Sequence, residues 1–81
     1  MKENKPTAYE CFLHKSVLEE TKNNPLYTKE DIMSFFIYQD CLQGNSQAFD
    51  LVSNTKEENW TKDTFYNAAK LIITKFNQPN E

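Results

Sequence analysis

The chain has 81 residues, of which 38% are hydrophobic and 26% are charged, and its formal net charge is -3. A chain of this length forms one small domain, and its apolar content is too high for a disordered segment. All nine basic residues are lysines. The missing arginine and the negative charge argue against nucleic-acid binding, which uses basic surfaces and bidentate arginine contacts.

The cysteines and the first residues indicate a cellular compartment. Cys11 and Cys41 are far apart and form no C-x-x-C motif. The opening stretch, MKENKPTAYE, lacks the apolar segment of a signal peptide. No apolar run approaches the roughly 18 residues of a membrane span. The sequence therefore predicts a cytoplasmic protein with two free thiols and no contact with a membrane.

The first predicted helix begins with a capping-box pattern. Thr7 is followed three residues later by Glu10, a spacing that closes the start of a helix. The helix is expected to run to about Lys22, before two asparagines and Pro25 favour a turn. Its apolar residues at helical spacing predict one buried face, formed by Tyr9, Phe12, Leu13 and Val17.

The second predicted helix has equally clear boundaries. Thr28 is placed to cap it, with Asp31 three residues further on. It is expected to run to about Gln43, because Gly44 supplies the left-handed stop at which helices commonly end.

The second half of the chain predicts a short helix, a loop and a long helix. Asn45 or Ser46 can cap a helix from about Gln47 to Ser53, although AFDLV could instead be a short extended stretch. Residues 54–60 predict a polar loop. Thr61 then caps a fourth helix, which Pro79 ends. Its apolar stripe is Phe65, Tyr66, Ala69, Ile72, Ile73 and Phe76.

These elements predict an all-α fold, a compact bundle of three longer helices and one short helix. The prediction places residues 1–81 in a single helical domain, ordered from about residue 7 to residue 77, with frayed termini.

Helix two is apolar on nearly every side, which raises a question about its surroundings. One side carries Ile32, Met33, Phe36, Ile37 and Cys41, and the far side carries Phe35, Tyr38 and Leu42. Such a helix must be almost fully covered. Either it is the central helix, flanked by the other three, or a leftover patch around Phe35 and Tyr38 faces a partner or a second copy.

Two further residues are candidates for contact with a partner. Leu71 lies on the back of helix four, opposite Phe76. Trp60 directly precedes the cap of that helix. It could pack on Phe65 as a hydrophobic staple, or it could be an exposed aromatic contact of the kind favoured at binding hot spots.

Groups that could carry chemistry are too few to predict a catalytic, cofactor or metal site. His14 is the only histidine. Its spacing from Cys11 would allow a thiolate–imidazole pair, but no orienting third group suggests itself. Neighbouring carboxylates such as Glu30 and Asp31 point in different directions on a helix. Gly44 is the single glycine, so no phosphate-binding loop is present. The prediction is a protein that is not an enzyme.

The leading hypothesis is a non-enzymatic regulator or inhibitor that docks on another protein through Phe35, Tyr38, Trp60 and Leu71. In size, acidity and helical content the chain resembles many phage-encoded inhibitors, immunity proteins and small antitoxin-like regulators, a similarity of type that assigns no residue a role. An acidic rim of Glu19, Glu20, Glu57 and Glu58 could steer it toward a basic partner.

Two alternatives belong to other classes of protein. One is a homodimer with a structural or scaffolding role, joined through helix two. The other is a nucleic-acid adaptor in which helices two and three outline a helix-turn-helix. The second helix of that motif would be SQAFDLVSN, which carries Asp50 and no basic residue, and its charge would repel phosphate.

Overall fold

Four α-helices make up the protein in a computed structural model that describes residues 6–52 and 55–77. The helices are α1 (Ala8–Asn23), α2 (Lys29–Leu42), α3 (Ser46–Leu51) and α4 (Lys62–Asn77), with a 3-10 turn at Glu57–Asn59. Every regular element in the described ranges is helical, which confirms the predicted all-α bundle of three longer helices and one short helix. The predicted frayed termini are residues 1–6 and 78–81, which include Pro79, and apart from Pro6 they lie outside the described ranges.

The first two helices begin and end where their capping residues predict. Thr7 Oγ1 accepts a hydrogen bond from the backbone N–H of Glu10 at 3.1 Å, and the Glu10 carboxylate accepts one from the N–H of Thr7 at 3.0 Å. Thr28 caps α2 by accepting from the N–H of Asp31 at 3.1 Å. Gly44 follows α2 with a φ of 83°, the left-handed conformation that glycine adopts without strain.

The short segment after Gly44 is a helix and not an extended stretch. Asn45 Oδ1 accepts hydrogen bonds from the N–H groups of Gln47 at 2.8 Å and Ala48 at 3.1 Å. These two bonds satisfy backbone donors that a helix start leaves free. The predicted helical end at Ser53 lies outside the described residues.

The segment before α4 is more ordered than the predicted loop. Within it, Glu57–Asn59 form one 3-10 turn, while Asn54 is outside the described residues. Thr61 then caps α4 as predicted. Its Oγ1 accepts from the N–H of Thr64 at 3.3 Å, and Thr64 Oγ1 accepts from the N–H of Thr61 at 3.1 Å.

The core of the protein lies around one side of α2. This helix contacts α1, α3 and α4, which makes it the central helix, as one of the two sequence interpretations requires. Its buried side chains meet apolar residues from every other helix. The buried set comprises Leu13, Val17, Ile32, Met33, Ile37, Cys41, Ala48, Val52, Phe65, Ala68, Ala69, Ile72 and Ile73.

The shape of the molecule explains why a central helix still has an exposed side. The principal extents are 39 × 36 × 19 Å. A helix with its side chains is about 10–12 Å wide, so the shortest dimension holds about two helices. In a molecule of two layers, each layer keeps one surface in contact with solvent.

The predicted buried face of α1 is wrong at one residue. Phe12 is 65% exposed, whereas Leu13 and Val17 are buried. Glu10, Leu13 and Val17 follow the i, i+3, i+7 spacing, so they form the centre of the buried stripe. At about 100° per residue, Phe12 lies a quarter-turn from Leu13 and reaches the edge of the helix.

Two polar contacts fix the start of α1. The Tyr9 hydroxyl donates to the Asp40 carboxylate at 2.5 Å, which joins the start of α1 to the end of α2, as expected for an antiparallel pair. Burial, together with Asp40, raises the pKa of Tyr9 well above its ordinary value. Lys75 Nζ, near the end of α4, donates to both oxygens of Glu10 at 3.0 and 3.1 Å.

Candidate docking surface

Phe35 lies where three surface hollows meet. The first hollow lies between α2 and the start of α4, where Tyr38 and Trp60 line it. The second lies beside the α1–α2 turn and is lined by Tyr27 and Lys62. The third lies between α1 and α2 and is lined by Phe12. Because Phe35 lines all three, the apolar surface is continuous across it.

The exposed rings that surround these hollows define what we call the Phe35 face. They are Phe12, Tyr27, Phe35 and Tyr38. Phe35 is 54% exposed and Tyr38 is 39% exposed. The face therefore combines α1, the α1–α2 turn and α2, and it includes both residues that the sequence places on the uncovered side of helix two.

Neighbouring phenylalanines on α2 have different surroundings. Phe36 is partly buried and packs against the core, whereas Phe35 is exposed. Their ring centroids are 6.5 Å apart, with an angle of 46° between the ring planes. Adjacent residues on a helix point about 100° apart, so one ring can serve the core while the next faces solvent.

Tyr38 is held in position by aromatic contacts although it remains exposed. Its ring meets Phe65 edge-on, with centroids 5.2 Å apart, and Trp60 edge-on at 6.2 Å. Such edge-to-face contacts are favourable for aromatic pairs. The visible part of the Tyr38 ring is thus presented in a fixed orientation.

Trp60 is a partly buried support for this face and not an exposed aromatic contact. Its indole N–H donates to the carbonyl of Thr55 at 2.9 Å. Its ring packs on Phe65 at 5.4 Å and near Phe49 at 6.0 Å. The contact with Phe65 is the hydrophobic staple that one sequence interpretation predicts. A role in partner binding stays a prediction that concerns the part of the ring lining the first hollow.

Leu71 is exposed but lies apart from the other three candidates. It is 68% exposed and lines a different hollow, beside Glu10 and Leu51. The structure therefore brings together Phe35, Tyr38 and Trp60 and leaves Leu71 separate.

Two rings of the face were missed by the sequence pattern. Phe12 is assigned to the buried face because its helical spacing matches that of Tyr9, Leu13 and Val17, although its position on the helix wheel is marginal. Tyr27 lies in the α1–α2 turn after Pro25 and Leu26, and the stretch predicts only a helix stop. The overlooked signal is that turns run over the surface of a protein, so apolar residues within them are exposed unless another element covers them.

The charges beside the Phe35 face are mostly negative. Glu20 and Asp31 line the second hollow, Asp40 lines the third, and Lys62 is the cation beside them. In residues 6–52 and 55–77, the ion pair present joins Glu10 to Lys75, so the three carboxylates have no cationic partner there. Of the predicted acidic rim, Glu20 lines one of these hollows, and Glu19, Glu57 and Glu58 do not.

The side chains that could carry catalytic or metal-binding chemistry do not form a cluster. The His14 ring stacks on Phe76, with centroids 3.9 Å apart and 5° between the planes. Cys11 is exposed and Cys41 is buried, and burial, then Asp40, raises the pKa of the Cys41 thiol. The described residues contain no group of three or more side chains placed to hold a metal ion.

Comparison with known proteins gives this chain no relative. No protein-family model matches the sequence, and neither a curated protein nor a solved structure matches the chain. Across the described helices, none has both the length and the apolar character needed to cross a membrane.

Proposed function

We propose that this protein is a cytoplasmic, non-enzymatic regulator or inhibitor that acts by docking on another protein through the Phe35 face. The observation that carries the proposal is the position of Phe35. It is 54% exposed in the middle of a helix whose opposite side builds the core. Contiguous exposed apolar surface on a small protein commonly marks an interaction site.

The arrangement of Tyr38 supports the same proposal. Tyrosine and tryptophan are frequent among residues that dominate binding energy. Tyr38 is fixed by Phe65 and Trp60 before any partner arrives. A ring already held in place loses little conformational entropy on binding, so more of its contact energy is available to the complex.

Photo-crosslinking in the native host tests this proposal directly. We expect p-benzoylphenylalanine placed at position 35 to form a covalent adduct with one host protein in stoichiometric yield. The matched control carries the same group in place of Leu18, which is also exposed but lines none of the hollows of the Phe35 face. Equal labelling of the same protein from both positions, or no adduct from position 35, would contradict the proposal.

A homodimer with a scaffolding role is the second candidate, because the Phe35 face could also meet its own copy. Isologous contact through one patch is the commonest way in which identical chains associate. Sedimentation at micromolar concentration separates the two candidates. A dimer that Phe35→Ser converts to a monomer would favour self-association, and a monomeric wild type would exclude it.

The remaining parts of the hypothesis have their own tests. An origin in a phage or mobile element would be apparent from neighbouring genes. The nucleic-acid adaptor predicts a gel shift at low salt, where electrostatic affinity is largest. In the described part of that motif, α3 has six residues and its charged residue is Asp50.

A further inference from the structure

Two of the hollows on the Phe35 face lie end to end along one seam. The second and third hollows share Phe35 and Phe36 and follow the seam between the antiparallel helices α1 and α2. Along α2 the trough extends from Asp31 to Gln43. At 1.5 Å per residue this distance is about 18 Å, the length of a helix of about 12 residues. We call this surface the α1–α2 trough.

The form of the trough suits a helix. Side chains on two packed helices leave a groove between them into which the ridge of a third helix can fit. Partner helices that bind such grooves insert apolar residues at i, i+3 or i+4, and i+7. Phe12 on one wall and Phe35 on the other would contact such a stripe. Within this chain, α3 is too short to fill the trough and packs elsewhere on α2.

The charges specify the chemistry of that helix. Asp40 lies toward one end of the trough, and Asp31 and Glu20 lie toward the other, where Lys62 leaves the local charge still negative. Along the axis of α2 the two aspartates are about 13 Å apart, and at about 100° per residue they lie on opposite edges of that helix. Lysine or arginine residues near both ends of a docked helix would therefore find carboxylates that have no cationic partner among the described residues.

The same charges disfavour a second copy as the occupant of the trough. An isologous contact would place Glu20, Asp31 and Asp40 of one copy against the same three carboxylates of the other. Each copy would offer Lys62 as the cation that lines these hollows. Like charges brought together without compensation cost affinity.

From this geometry we infer that the α1–α2 trough receives a basic amphipathic helix of the partner protein. The inference rests on the proposed docking function and adds the shape and charge of the segment that is bound. The apolar stripe of the helix would cover Phe12 and Phe35. Its flanking cations would pair with Asp40 at one end and with Asp31 and Glu20 at the other.

Two designed peptides test the inference on the full-length protein. Both have about 18 residues, enough to hold a helix as long as the trough, and both carry the same leucine stripe. One has lysines beside the stripe and the other has glutamates. With fluorescein-labelled peptides, fluorescence anisotropy should show micromolar binding of the lysine peptide and about tenfold weaker binding of the glutamate peptide.

Variants of the protein locate the binding site. Phe35→Ser should lower the affinity for the lysine peptide by about tenfold, as expected when a central apolar contact is lost. Asp31→Asn should lower the affinity for the lysine peptide severalfold and should reduce the dependence of that affinity on salt. Leu18→Ser is the matched control and should leave the affinity unchanged, since Leu18 is exposed on α1 but lines neither hollow of the trough.

Each outcome decides for or against the inference. Equal affinity for the two peptides, insensitivity to Phe35→Ser, or failure to bind either peptide would overturn it. Crosslinking at position 35 together with failure of both peptides would reject the basic helix and retain the proposed function. Absence of crosslinking would reject the proposed function, whatever the peptides show.

Discussion

His14 is the residue whose surroundings have the clearest consequence for pH. Its ring lies flat on Phe76, and burial, then the nearby charge of Lys29, lowers the pKa of His14. In the unfolded chain the imidazole takes up its proton near pH 6.5, higher than in the folded protein. The unfolded state therefore binds more protons as the pH falls through this range, and protonation favours unfolding.

We predict that the urea midpoint of unfolding decreases between about pH 7.5 and about pH 5.5, since this interval spans the unfolded pKa of histidine. His14→Gln removes the titrating group and should flatten the dependence. Both proteins are measured over the same interval, so a contribution from any other group is common to the two. A wild-type midpoint that stayed constant, or rose on acidification, would contradict the prediction.

At the scale of elements, Glu10 connects two helices that are distant in sequence. Its carboxylate closes the capping box of α1 and also receives two hydrogen bonds from Lys75 on α4. Glu10 is 4% exposed, so its charge is nearly removed from water. A buried carboxylate deprived of its cation is destabilising, because its desolvation is no longer compensated.

We predict that Lys75→Met lowers the free energy of unfolding by about 1–2 kcal/mol, less than for a fully buried pair because the Lys75 side chain is partly exposed. Lys70→Met is the matched control on the same helix. Lys70 is exposed and lies over the Tyr66 ring, so its loss should cost less than about 0.5 kcal/mol. Urea denaturation at neutral pH measures both, and equal losses would count against the role assigned to Glu10.

Helix boundaries could be predicted from the sequence because the interactions that set them are local. The side chains of Thr7, Thr28 and Thr61 bond to backbone groups three residues away, and Gly44 acts through its own φ angle. Contacts between helices join residues that are distant in sequence, so no local sequence pattern predicts them. The stacking of His14 on Phe76 and the pairing of Glu10 with Lys75 join opposite ends of the chain.

The candidate site was partly predictable for the same reason. The excess of apolar residues on α2 is a property of one helix, so Phe35 and Tyr38 could be identified. Phe12 could not be identified, because the burial of a residue at the edge of the α1 stripe depends on how closely α2 approaches. Trp60 was ambiguous until the positions of Phe65 and Thr55 were known.

At the scale of the whole molecule, one side of α2 is buried in the core and stabilises the fold, while the other side exposes aromatic rings to solvent. Ile37 is fully buried among the other helices, while Phe35, two residues earlier, is 54% exposed. In a protein only about two helices thick, both surfaces of one helix cannot be enclosed. The two sides should therefore respond differently to truncation.

We predict that Ile37→Ala lowers the free energy of unfolding by about 3 kcal/mol, through lost burial and the cavity left behind. Phe35→Ala should change it by less than about 1 kcal/mol, because half of the ring is already in water. Denaturant unfolding of the two variants under identical conditions provides the measurement. If Phe35→Ala were as costly as Ile37→Ala, the Phe35 ring would be a structural component, and its exposure would need another explanation.

Trp60 is the single tryptophan of the chain, and it lines the hollow that Phe35 and Tyr38 share. Indole emission shifts in wavelength and intensity when water is displaced from around the ring. The protein thus carries an intrinsic fluorophore next to the exposed rings of Phe35 and Tyr38. Occupancy of that hollow can be followed in unlabelled wild-type material, before any candidate binding molecule has been identified.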